Sequence, residues 1–133
     1  MNYRPHMLVK VRSDPLMNAI GGKVAGKPIE QPMPCTIRIS GLIPGHRCAS
    51  RETVVGCHLG ELGKGMSTKV SDIQVAAGCM NCHMLVDGVD PRWFWLLENH
   101  PVTTLKRILT ATHETQAMLV ELGIISVKGQ TLI

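Results

Sequence analysis

Two pairs of cysteines constrain this chain more than any other feature. Cys35 and Cys48 stand either side of twelve residues, and Cys79 and Cys82 form a C-x-x-C followed at once by His83. A chain of 133 residues is long enough for a single modest core. That core must be built with few aromatics, since only Tyr3, Trp93, Phe94 and Trp95 are present. A staple between distant segments would therefore matter to its stability.

The cysteines could serve several chemistries, and the spacing separates them. C-x-x-C-H is the haem-attachment pattern, but covalent haem forms after export. The opening stretch "MNYRPHMLVKVRSDPLMNAIGG" breaks its apolar runs with charge and proline, unlike a signal peptide. A thioredoxin-like site would place its C-x-x-C in a βαβ unit and needs no second pair upstream. No apolar run approaches a membrane span. The expectation is a soluble, cytoplasmic protein with reduced cysteines, five being a poor fit to full disulfide pairing. Tetrahedral zinc, which takes four thiolates, matches Cys35, Cys48, Cys79 and Cys82; unliganded thiols are the alternative. His46 could stand in for Cys48. Cys57 is left over as a small buried apolar residue.

Along the chain, residues 1–34 carry Gly21, Gly22, Gly26, Pro28, Pro32 and Pro34 without sustained periodicity, and read as an arm and linker. Residues 35–133 read as the folded domain. "CTIRIS" alternates as a half-buried strand, "GLIPGHRC" is a turn, and "ETVVGCHL" is a second strand delivering His58. "GELGKGMSTKVS" is loop, and "DIQVAA" is a third strand leading into the C-x-x-C. A short helix over 80–87 stops at Gly88. Asp90-Pro91 opens a helix carrying "RWFWLLEN". A third helix starts near Thr103 or Thr104, presents Leu105, Ile108, Leu109, Thr112, Leu119 and Leu122, and ends at Gly123. "IISV" reads as a closing strand. Strands precede helices, the order of a small α+β domain.

The net charge of +4 is concentrated at the start. Arg4, Lys10, Arg12, Lys23 and Lys27 face Asp14 alone, whereas nine basic and nine acidic residues cancel over 28–133. The excess suits either a nucleic-acid contact or a solvated tail. Lys64, Lys69, Arg38, Arg47 and Arg51 could neutralise phosphates or be ordinary surface charge. Trp93, Phe94 and Trp95 could stack bases or pack the core. On the helix after the C-x-x-C, His83 and Asp87 are four apart and share a face. They can hold a divalent cation together, or simply pair with each other.

From Cys35 to about Gly123 the chain resembles the prophage-encoded nucleases of the YbcO type, within the HNH or His-Me finger group. "PCTIRISG", "RETVVGCHL", "GKGMSTKVSD", "GCMNCHMLVDG" and "ETQAMLVELGII" carry the resemblance, in that order. It implies a zinc-stabilised treble-clef, or ββα-metal, HNH-like fold with C-terminal helices, and a metal-dependent endonuclease acting on DNA, branched or single-stranded forms included. His58 is then the general base, and His83 with Asp87 or Asp72 holds a catalytic Mg²⁺ or Mn²⁺. The zinc is scaffold. A homodimer would let such an enzyme cut both strands. Two positions depart from the HNH pattern: Cys57 stands where an acidic ligand often precedes the base, and the asparagine that orients the base is missing, with Asp72 near its place. The competing expectation is a zinc-stabilised nucleic-acid-binding accessory module without turnover.

Overall fold

The computed structural model describes residues 10–24, 27–28, 31–59 and 71–133. These form a small α+β unit in which a two-stranded antiparallel sheet is packed against helices. In chain order they are α1 (Asp14–Ile20), β1 (Lys23–Val24), β2 (Lys27–Pro28), β3 (Val55–His58), β4 (Val75–Gly78), α2 (Met80–Val86), α3 (Arg92–Asn99) and α4 (Pro101–Glu121). A minor hairpin pairs β1 with β2. The sheet that positions the site pairs β3 with β4, with Val55 opposite Gly78 and His58 opposite Val75.

β4 is the centre of the core. All four of its residues are buried, because β3 lies on one side and α4 packs against it. Its outer edge is closed by threonines rather than by a further strand. Thr36 N–H donates to the Ala77 carbonyl at 2.8 Å, and Ala77 N–H donates to Thr115 Oγ1 at 2.9 Å. Both backbone groups of Ala77 on this edge are thus satisfied.

Four expectations are corrected by the structure. "CTIRIS" is not a strand: Arg38 takes a φ of 51°, which turns the chain after the single contact at Thr36. Thr36, Ile37, Ile39 and Ser40 are all buried, so the apparent alternation did not separate a wet face from a dry one. "IISV" is not a strand either. Gly123, at φ 74°, lets the Ile124 and Ile125 N–H groups fold back onto the Leu119 carbonyl as a helix stop.

The third correction concerns the face of α4. Leu119 is buried as expected and Ile108 partly so, but Leu105, Leu109 and Leu122 are exposed, and Thr104, Ala111 and Thr115 are buried in their place. Small side chains at 111 and 115 let the helix lie close to Ala76 and Ala77 of β4, which larger residues would prevent. The helix also starts earlier than expected, at Pro101, a favoured first-turn residue.

The fourth lies in the segment read as an arm. Ser13 Oγ accepts from Leu16 N–H at 3.2 Å and Pro15 occupies the first turn, so α1 is a properly started helix. Its Leu16, Ala19 and Ile20 are buried in the same core as β3 and β4. The loop "GELGKGMSTKVS" and its Lys64 and Lys69 fall almost wholly outside the described residues. Among the described residues, no helix is long and apolar enough to cross a membrane.

Candidate functional site

The thiol cluster is assembled from three separate stretches. Cys35 precedes the Thr36 contact, Cys48 follows the turn that begins with the 3₁₀ segment Ser40–Leu42, and Cys79 and Cys82 open α2. The four sulfurs lie within 4.8 Å of one another. Cys48 Sγ is 3.9 Å from Cys35 Sγ and 3.7 Å from Cys82 Sγ. A tetrahedron with bonds of about 2.3 Å has edges of about 3.8 Å, so these separations fit four ligands around one ion. They are far too long for disulfides. His46, the sequence alternative, is not part of the group.

The surroundings of the sulfurs suit thiolates. Ala49 N–H donates to Cys79 Sγ at 3.3 Å and Cys82 N–H at 3.5 Å, while Ser40 Oγ lies 3.3 Å from Cys82 Sγ. Asn81 Nδ2 donates to the Arg47 carbonyl at 2.9 Å and ties the turn to the helix start. Such outer contacts fix ligand orientation. Four thiols this close cannot all ionise by themselves. Hydrogen bonds from Cys35 and Cys82 hold Cys79 far below the usual thiol range. Burial, then the charges of Cys35 and Cys79, push Cys48 up to about 12. Proton sharing with Cys35 and Cys79, together with burial, pushes Cys82 upward as well. A cation at the centre relieves this conflict, so the donor set fits a metal ion and is consistent with structural zinc.

Cys57 is the leftover that the sequence suggested. It is fully buried, its Sγ within 3.6 Å of the Val55 carbonyl, and burial raises its pKa. Its position on β3 points it into the core and presents the next residue, His58, toward solvent.

His58 is held by Asp72. His58 Nε2 and Asp72 Oδ1 are 2.8 Å apart, with the histidine side chain 41% exposed and the aspartate 11%. The other carboxylate oxygen accepts from Ser13 N–H at 2.6 Å. Burial alone would raise the Asp72 pKa, but the Ser13 and His58 bonds outweigh it and the net shift is downward. Asp72 is therefore a fixed anion that orients an accessible imidazole. With Nε2–H donated to Asp72, the lone pair of Nδ1 is the one left for a proton.

No protein-family model, curated protein or solved structure matches this chain.

His83 and Asp87 pair across one turn of α2, with Nε2 3.0 Å from Oδ2, both partly exposed. Of the two pairings expected for His83, the one with Asp87 is formed, whereas Asp72 is bonded to His58 and Ser13 instead. Among the described residues, the four cysteines are the one set of three or more His, Cys, Asp or Glu side chains placed to share an ion. The basic residues named from the sequence are dispersed. Arg51 Nε donates to the Pro32 carbonyl at 2.7 Å, and Arg38 lies at the α4 side of β4, beside Glu114. Ser13 was missed as a contributor. Its signal was the S-D-P that starts α1, hidden by the glycines and prolines around it.

Proposed function

We propose that this chain is a zinc-stapled, metal-dependent endonuclease domain of the treble-clef, HNH-like kind, with His58 as the general base. The carrying observation is the His58–Asp72 contact at 2.8 Å, in which a buried aspartate fixes an exposed imidazole at the end of β3. Asp72 thereby takes the orienting part that an asparagine plays in the HNH pattern. The succession β3, β4, α2, with His58 at the strand end and His83 on the helix, supports the same reading.

In this mechanism His58 Nδ1 accepts a proton from the attacking water while Nε2–H stays on Asp72, which stabilises the imidazolium. Zinc at Cys35, Cys48, Cys79 and Cys82 holds α2 against the sheet and takes no part in the chemistry. Of the two expected pairings for Mg²⁺ or Mn²⁺, His83 with Asp87 is the two-donor candidate on α2, since Asp72 is engaged by His58 and Ser13. A divalent ion there would supply positive charge to the scissile phosphate.

That incomplete ligand set favours a second reading, a zinc-stapled nucleic-acid-binding module without turnover. Plasmid and branched-DNA cleavage with Mg²⁺, Mn²⁺ or Ni²⁺ separates the two. The endonuclease reading expects metal-dependent nicking that His58→Ala abolishes while zinc content is unchanged. Binding without cleavage under every metal would overturn it in favour of the binding module.

A further inference from the structure

A cavity of about 190 Å³ lies between the N-terminal half of α4 and the chain at 36–38. Its lining is Thr36, Arg38, Thr103, Lys106, Arg107 and Thr110, three cations and three hydroxyl-bearing side chains with no carboxylate. The four helical members are spaced i, i+3, i+4 and i+7, one face of α4. Three cations without a carboxylate repel a cation and suit an anion such as a phosphate.

The charges are arranged rather than scattered. Arg107 Nη1 donates to the Arg38 carbonyl, which seats its guanidinium at the pocket wall. Arg38 Nη2 pairs with Glu114 Oε1 at 3.1 Å, which leaves its other donors available. Lys106 has no ion-pair partner among the described residues. The φ of 51° at Arg38 is uncommon for a side chain other than glycine, asparagine or aspartate, and it occurs where the chain delivers this guanidinium to the cavity. With a total charge of +2 after Glu114 is counted against the three cations, the pocket attracts an anion at neutral pH.

We propose that this pocket grips a backbone phosphate of a nucleic acid, as a contact separate from the His58 centre. It rests on the nucleic-acid part of the functional reading and not on turnover. The separation follows from topology: the pocket's Thr36 bonds to the outer edge of β4, whereas His58 is on β3 at the inner edge. A contact there holds the strand by its backbone and carries no base specificity.

The test is fluorescence anisotropy of a labelled DNA duplex as a function of salt, in a His58→Ala background so that cleavage cannot intervene. Each phosphate contact contributes about 0.9 to the slope of log K against log salt for duplex DNA. Lys106→Gln is expected to reduce the slope by about 1 and to weaken binding several-fold at low salt. Arg38→Gln with Lys106→Gln should weaken binding further at low salt without lowering the slope by more than the one contact, about 0.9, while Lys128→Gln should leave both unchanged. Unaltered affinity and slope in the double variant, with circular dichroism showing it folded, would overturn the pocket assignment and leave the His58 reading standing. A Lys106-sensitive slope with no cleavage by the His58-intact protein would keep the pocket and sink the endonuclease. Absence of any DNA binding overturns both.

Discussion

Replacing Asp72 probes the link between the candidate base and the fold. Its carboxylate accepts 2.6 Å and 2.8 Å contacts from Ser13 N–H and His58 Nε2, tying the start of α1 to the end of β3. Hydrogen bonds to a charged group contribute about 1.5–3 kcal/mol each. The His58 contact involves a ring that is 41% exposed, so solvent screening puts it at the low end or below. Asp72→Ala is therefore expected to cost about 2–4 kcal/mol, and Asp72→Asn, which keeps an oxygen for Ser13 N–H, about 1–2 kcal/mol. The assay is urea unfolding of zinc-loaded protein, where Asp72→Ala should lower the midpoint by about 1–2 M. The pH sign follows from the lowered carboxyl pKa. The stabilisation is fully present above the unfolded value of about 3.9 and is lost as pH falls through the depressed folded value. The stability difference between wild type and Asp72→Asn should thus shrink below about pH 4. Thiolate sites release metal in acid too, so the difference between the two proteins is the readout. If both variants unfold within 0.5 M urea, roughly, of wild type at pH 7, the reasoning fails.

Two core predictions test the packing around β4. Thr115→Val leaves the Ala77 N–H unpaired in the interior and should cost about 1–3 kcal/mol in urea unfolding, with Thr115→Ser losing less; equal losses would refute the hydrogen-bond account. Gly78→Ala would set its Cβ 2.7 Å from both Cys57 Sγ and Ile37 Cδ1, an overpacking cost of about 1–3 kcal/mol. Cys57→Ala made alongside it should recover part of that loss, and strict additivity of the two changes would argue against the clash.

The site was more legible in the sequence than the architecture around it. Cysteine spacing carried the ligand set because metal chemistry narrows the choice to few residue types. The β3–β4–α2 succession followed from short apolar runs and from Gly88, which takes the left-handed conformation expected of a helix stop. What sequence could not show was partner choice. Asp72 was placed near the base by resemblance, but its second partner, Ser13, is 59 residues away. The α4 face misled because close helix–strand packing selects Ala111 and Thr115 and leaves Leu105 and Leu109 outside. At "CTIRIS", alternation was present, yet a single positive φ at Arg38 prevented a ladder. In both places tertiary packing decided against local pattern.

Direct metal analysis of the purified protein bears most closely on the account as a whole. Elemental mass spectrometry should find one zinc per chain, and Cys82→Ser should lose both that zinc and the cooperative unfolding transition. A folded, metal-free wild type whose Cys35, Cys48, Cys79 and Cys82 are all freely alkylated would contradict it.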